Sequence, residues 1–145
     1  MFSKEESRLL RQGFWTGFGK SFPRKWILYD TKIKGFSFKF HFDTKTALVA
    51  LDLEDSLENR INYWEKLQVL QTILKNDYLP DAIFEETYLL DSEKEISRIY
   101  VLLNQKVSIH NKESWRDVMV FFDQHMNLFE MFFEDYRDIL EDSLQ

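Results

Sequence analysis

Phenylalanine occupies every second position from residue 36 to residue 42. Because successive side chains of a β-strand point to opposite faces, this alternation predicts a strand over residues 35–42. One face would carry four aromatic rings, and the other would carry Ser37, Lys39 and His41. A pleated face of four rings has to be covered by other elements, so we expect helices to pack onto a sheet.

Further strands are predicted around this one. Residues 43–46 have the composition of a hairpin turn, after which residues 47–53 would return antiparallel. A short apolar strand is expected earlier, over residues 26–29, with an extension to residue 33 if it continues. A second hairpin would join residues 84–90 to residues 96–103. The latter strand is mostly apolar on both faces, which is typical of a central strand.

Three helices are predicted from capping and spacing. The first begins at Ser3 and the second at Asp55, and in each case a Glu three residues later completes a capping box. The third follows Asn111 and keeps a three- to four-residue apolar spacing to Leu140 without Pro or Gly. The predicted order is α-β-β-β-α-β-β-α. This is an α+β fold in which a mainly antiparallel sheet of about five strands is covered by three helices, in one domain over residues 1–145.

The last helix bears on oligomeric state. At 1.5 Å per residue it would span roughly 45 Å, which exceeds the width of a domain of this size. The helix therefore either bends or packs its end on another subunit. Phe121, Leu128 and Phe132 widen its apolar face beyond one stripe. They are candidate homodimer-interface residues, and the alternative is that they cover the aromatic sheet.

Composition excludes several chemistries. The chain has no cysteine, so disulfides, zinc–thiolate sites, iron–sulfur clusters and cysteine nucleophiles are excluded. No nucleophile elbow, phosphate-binding loop or dinucleotide fingerprint is present, and the three histidines do not stand at ligand spacing. We expect no cofactor. The acidic N-terminus and the lack of a long apolar run predict a cytoplasmic protein without membrane contact.

Charge is unevenly distributed along the chain. The first 46 residues carry ten Lys or Arg against four Asp or Glu, so this part is +6 and the remainder is −12 in a chain of net charge −6. Aromatic residues interleave with the basic ones, a pattern that suits phosphate and base contacts in nucleic-acid binding. The alternative is that the two halves attract each other within one fold. The candidate nucleic-acid-binding residues are Lys20, Arg24, Lys25, Lys32, Lys34 and Lys39.

Some segments of the sequence have features of a metal-dependent nuclease. Two Asp-x-Lys segments, at residues 30–32 and 43–45, have the acid-and-lysine spacing of restriction-endonuclease-type sites. Asp52 and Glu54 share a strand face and are weak candidates for metal ligands. The alternative is that this pair faces water near the strand end, with Glu54 serving the N-terminus of the next helix.

The whole chain resembles a bacterial family of domains of unknown function, number 4268. The resemblance is carried by Phe14-Trp15, by residues 35–38 and 50–54, by residues 98–100, and by Trp115 with the aromatic helix after it. Members often follow a restriction-endonuclease-like nuclease domain. The resemblance therefore implies a nuclease partner and a link to DNA defence or repair, and it supplies no catalytic residues.

These observations leave three hypotheses for function. The first is a non-enzymatic accessory or interaction module that self-associates, most simply as a homodimer. The second is a nucleic-acid-binding module of a DNA defence or repair system. The third is a remnant of a metal-dependent nuclease.

Overall fold

The computed structural model describes residues 2–141 and confirms an α+β fold with an antiparallel sheet. The sheet has four strands, and four α-helices pack with it. The elements are α1 (Lys4–Ser21), β1 (Phe36–Phe42), β2 (Ala47–Leu53), α2 (Leu57–Val69), α3 (Gln71–Asp77), β3 (Ile83–Leu89), β4 (Glu95–Leu102) and α4 (Trp115–Glu141), with a short 3₁₀-helix, Lys112–Ser114, before α4.

The strands lie in the order β1-β2-β4-β3, and each neighbouring pair is antiparallel. This places β2 and β4 in the centre, as the apolar pattern of residues 96–103 predicted. All seven residues of β2 are buried. Phe38 pairs with Leu51 and Leu51 pairs with Ile99, so one register line crosses the aromatic face of the sheet. The core forms between this face and the helices.

The predicted strand over residues 26–29 is wrong. This segment is a loop that runs beside β1 and is joined to it by a backbone hydrogen bond from Phe38 N–H to the Leu28 carbonyl (3.0 Å). Leu28 and Lys32 have φ angles of +44° and +67°. Because the left-handed region turns the chain away from an extended path, the loop cannot continue as a strand. The sheet therefore has four strands and not about five.

The second predicted helix is divided in two. Leu70 has φ −88° and ψ 0°, which ends α2 before α3 begins. No Pro or Gly marks this break in the sequence. The cap was also misplaced by one residue: Ser56 Oγ accepts from the Asn59 N–H, whereas Asp55 accepts from the Ser56 N–H. The capping box at the start of α1 is confirmed, with Ser3 and Glu6 bonded reciprocally at 3.1 Å.

Helix α4 covers the phenylalanines of β1. Phe129 and Phe133 lie 5.9 and 5.5 Å from Phe38 between ring centroids. The helix bends at Tyr136, where φ is −118° and ψ is 15°, so its length is accommodated by a bend. No helix within residues 2–141 is long and apolar enough to cross a membrane.

The three candidate dimer-interface residues are used inside the chain. Phe121 and Phe132 are buried in the core, and Leu128 is partly buried against it. Phe132 packs against Tyr78 and Tyr136, and Phe121 packs against Phe122 and His125, so these side chains do not form an exposed patch.

Candidate functional site

The face of the sheet turned away from the helices is the most distinctive polar surface of the fold. In the part of the chain that the structure describes, the ring contacts of α1, α2 and α4 with the strands all fall on the other face. We call this surface the open face. Its residues are Ser37, Lys39, His41, Leu48, Ala50, Asp52, Ile83, Glu85, Tyr88, Ile96, Arg98, Tyr100 and Leu102.

A buried ion pair lies at the centre of the open face. Asp52 on β2 is directly opposite Arg98 on β4, and its side chain is 0% exposed. Arg98 donates through Nε and Nη2 to the two carboxylate oxygens at 2.7 and 2.8 Å. This fork-to-fork geometry is the strongest form of a charge-assisted pair. Since both charges are removed from water, each depends on the other to offset its desolvation.

Lys39 extends this pair into a network. Its Nζ lies 3.3 Å from Asp52 Oδ2 and donates to Glu54 Oε2 at 2.9 Å. Burial disfavours the charged form of Lys39, but the hydrogen bond to Glu54 and the charge of Asp52 outweigh it and raise the pKa of the amine. The network thus contains two cations, Lys39 and Arg98, and two anions, Asp52 and Glu54. An additional cation, Lys94, lies 3.9 Å from Glu54.

Aromatic side chains border the network on the β3 side. The Tyr88 ring lies under the Arg98 guanidinium, 4.5 Å from its Cζ, and contacts Tyr100 edge-on at 5.7 Å. The Tyr100 hydroxyl donates to Glu85 Oε1 at 2.7 Å. Burial and this hydrogen bond raise the pKa of Tyr100 to about 12, so the phenol remains a donor at any ordinary pH.

A pocket of about 370 Å³ lies between the β3–β4 hairpin tip and the open face. It is lined on one side by residues 88–92 and on the other by Leu48, Arg98 and the β1–β2 turn. His41, near the end of β1, contacts Asp43 of that turn at 2.8 Å. Burial raises the pKa of Asp43, but hydrogen bonds from His41 and from two backbone amides outweigh this and lower it to about 2.

The candidate metal ligands Asp52 and Glu54 lie close together, but both are paired with Lys39 in the ion-pair network. Asp52 does not face water as the alternative interpretation expected, and Arg98 occupies both of its oxygens. Asp30 pairs with Lys32 at the surface, and Asp43 holds a turn. Within residues 2–141 no group of three or more His, Asp or Glu side chains could hold a metal ion.

The six candidate nucleic-acid-binding residues lie on three elements of the fold, namely α1, the loop that follows it and β1. Lys39 is on the open face, whereas Arg24 is attached to α4 by hydrogen bonds to Glu130 (2.8 Å) and Asn127 (2.5 Å). The other four are exposed, at the end of α1 and in the loop before β1. Among these four, Lys32 already pairs with Asp30. Arg24 and Lys39 thus pair with carboxylates of the acidic part of the chain, whereas Lys32 pairs with a carboxylate of the basic part.

Sequence reasoning missed two arginines that organise the sheet. Arg98 was seen only as a position of family resemblance, and Arg60 on α2 was not singled out. Both are buried, and both contact residues at least 26 positions away in the chain. The available signal was an arginine within an otherwise apolar strand, because buried arginine requires a partner.

The structure thus defines a two-layer α+β domain, with helices on one face of a four-stranded antiparallel sheet and a polar network on the other. The family described as "Domain of unknown function (DUF4268)" matches residues 10–137, and the chain belongs to this family. This confirms the resemblance found in the sequence. Neither the comparison with curated proteins nor the comparison with solved structures gave a match.

Proposed function

We propose that this domain is a non-enzymatic interaction module that self-associates through the open face. The observation that carries the proposal is the cancellation of charge on this face. Among the residues that define this face, Lys39 and Arg98 are matched by Asp52 and Glu85, whereas the whole chain carries a net charge of −6. Two copies of an acidic protein repel each other over most of their surface, so they approach most easily through a neutral face.

Exposed apolar side chains on the same face support this proposal. Leu102 is 42% exposed and Ile83 is 39% exposed, and both flank the half-buried Tyr100. Protein interfaces likewise combine exposed apolar side chains with satisfied polar groups. A twofold axis would bring Leu102, Ile83 and Tyr100 of one copy against the same residues of the other, and twofold symmetry is the arrangement of most homodimers.

Leu102→Glu should disrupt the dimer. The substitution puts two like charges across the twofold interface, so we expect the dissociation constant to rise by ~100-fold or more. Sedimentation velocity over a range of protein concentrations measures the monomer–dimer equilibrium. Circular dichroism of the variant establishes that the fold is retained.

Val69→Glu is the matched control for this variant. Val69 is 80% exposed at the end of α2, and its replacement by Glu adds the same charge on the helix side of the domain. The dissociation constant should be unchanged in Val69→Glu. A wild-type protein that stays monomeric at every concentration, or equal dissociation of both variants, would show that the open face is not the interface.

Nucleic-acid binding is the second candidate function, and the position of Tyr29 favours it. Tyr29 is 72% exposed in the loop between Lys25 and Lys32, both of which are also exposed. An exposed ring between cations can stack on a base while the amines contact phosphates. In this case the module would act in the cytoplasm beside a nuclease partner in DNA defence or repair. The nuclease-remnant hypothesis stays a prediction, and the occupied oxygens of Asp52 give it no support.

Tyr29→Ala should weaken binding to single-stranded DNA by ~5- to 150-fold, since a stacked base contributes ~1–3 kcal/mol. Lys25→Ala should reduce the salt dependence of binding, whereas Lys106→Ala, an exposed lysine in the β4–α4 connection, should leave it unchanged. Fluorescence polarisation at several salt concentrations measures both effects. Absence of binding at low salt would contradict this second function.

A further inference from the structure

A small pocket lies between α2 and the β3–β4 hairpin, on the helix side of the sheet. Its volume is about 80 Å³. One water needs only ~10–15 Å³ of such volume, so the pocket has room for a group of several heavy atoms. It is lined by Leu57, Arg60, Ile61, Trp64, Glu86, Thr87, Glu95 and Ser97.

An irregularity in β3 forms one wall of the pocket. The pairing of β3 with β4 shifts register between Glu85 and Tyr88, so Glu86 and Thr87 leave the regular ladder. The Glu86 carbonyl instead accepts from Ser97 Oγ at 2.5 Å and from Arg60 Nη2 at 3.4 Å. The irregularity therefore directs the Glu86 carbonyl towards Arg60 of α2.

Arg60 supplies a buried positive charge to this pocket. Its side chain is 8% exposed, but its hydrogen bonds to Ser97 Oγ and to the Glu95 and Glu86 carbonyls are long, at 3.3 to 3.4 Å. The only carboxylate that contacts it within residues 2–141 is Glu95, at 3.1 Å, and the Glu95 side chain is 50% exposed. A guanidinium binds carboxylates best through two short parallel bonds, and this geometry is not reached with Glu95.

Trp64 supplies a second donor without an acceptor. The residue is 3% exposed, and its indole Nε1 has no hydrogen-bond partner among the described residues. A buried N–H without an acceptor costs ~1–3 kcal/mol. Because Trp64 lines the same pocket as Arg60, one ligand with two acceptor oxygens could satisfy both groups.

We propose that this pocket binds a small carboxylate carried on a short apolar chain. The carboxylate would bond to the Arg60 guanidinium and to the Trp64 indole, in place of the loose contact from Glu95. Leu57 and Ile61 are exposed at the rim, where they would contact the apolar chain. The limited volume selects a ligand the size of a short-chain carboxylic acid over a larger cofactor.

Indole N–H signals in a ¹H–¹⁵N NMR spectrum test the proposal directly. The chain has four tryptophans, so Trp15, Trp26 and Trp115 serve as internal references, and Trp64→Phe assigns the fourth signal. Titration with sodium butanoate should move the Trp64 signal in a saturable manner. Acetate should bind about 15-fold more weakly because it lacks the two methylenes that contact the rim. Sodium chloride at equal ionic strength gives the baseline.

Glu95→Gln distinguishes a carboxylate site from a general salt effect. Removal of the competing carboxylate should tighten butanoate binding by about fivefold, which corresponds to ~1 kcal/mol. Glu65→Gln, an exposed position on α2, removes the same charge away from the pocket and should have no effect. A Trp64 signal that responds to neither carboxylate, in the wild type and in Glu95→Gln alike, would overturn the proposal.

Discussion

Asp52→Ala should lower the free energy of unfolding by about 3–5 kcal/mol, the cost of leaving one partner of a buried ion pair alone. Asp52 is fully buried between Arg98 and Lys39. Without Asp52, the two guanidinium nitrogens of Arg98 that donate to it, Nε and Nη2, lose their carboxylate acceptor. Urea denaturation followed by circular dichroism measures the effect.

Glu54→Ala is the control for this experiment. Glu54 also pairs with Lys39, at 2.9 Å, but it lies at the edge of the network and is partly exposed. Its loss should cost about 0–1 kcal/mol, as for other solvent-accessible pairs. Asp52→Leu combined with Arg98→Met should recover most of the stability, because no charge is then left unpaired. Equal effects of Asp52→Ala and Glu54→Ala would refute a buried pair.

The same pair restricts the register of the two central strands. Asp52 and Arg98 are directly opposite each other in the β2–β4 ladder. A slip of one residue would turn Asp52 towards the phenylalanines of the core, because side chains alternate between faces. The open face is therefore specified by charge, whereas the helix-covered face is specified by apolar packing.

Local patterns in the sequence predicted the elements whose causes are local. The alternating phenylalanines of β1, the hairpin turn after it and the Ser3 capping box are all present. The failures depend on contacts that are distant in the chain. The loop over residues 26–33 has positive φ angles at Leu28 and Lys32, which are not residues that favour them. The break at Leu70 has no marker in the sequence.

The candidate site was predicted only in pieces. Lys39 was assigned to nucleic acid, and Asp52 and Glu54 to a metal, because each residue type was considered with its neighbours in sequence. Their actual relation requires Arg98, which is 46 positions from Asp52 and comes opposite to it only through strand register. The Arg60–Trp64 pocket depends on the register shift in β3, and no glycine or turn-forming residue marks that shift in the sequence.

Phe38→Ala should destabilise the fold by about 3–5 kcal/mol, within the range for removing a fully buried phenylalanine. The side chain is 0% exposed at the centre of the aromatic face. Its ring contacts Phe36 within β1 and both Phe129 and Phe133 of α4. Truncation would leave a cavity between the sheet and α4 that rigid neighbouring rings can fill only in part.

Two further variants separate the cavity from a general loss of aromatic surface. Phe38→Leu keeps most of the volume and should cost less than about 1.5 kcal/mol. Tyr29→Ala removes a mostly exposed ring and should change stability by no more than ~0.5 kcal/mol. Urea titrations of all three variants rank them. If Phe38→Ala were as mild as Tyr29→Ala, α4 would not be packed on the β1 phenylalanines, and the division of the sheet into a covered face and an open face would fail with it.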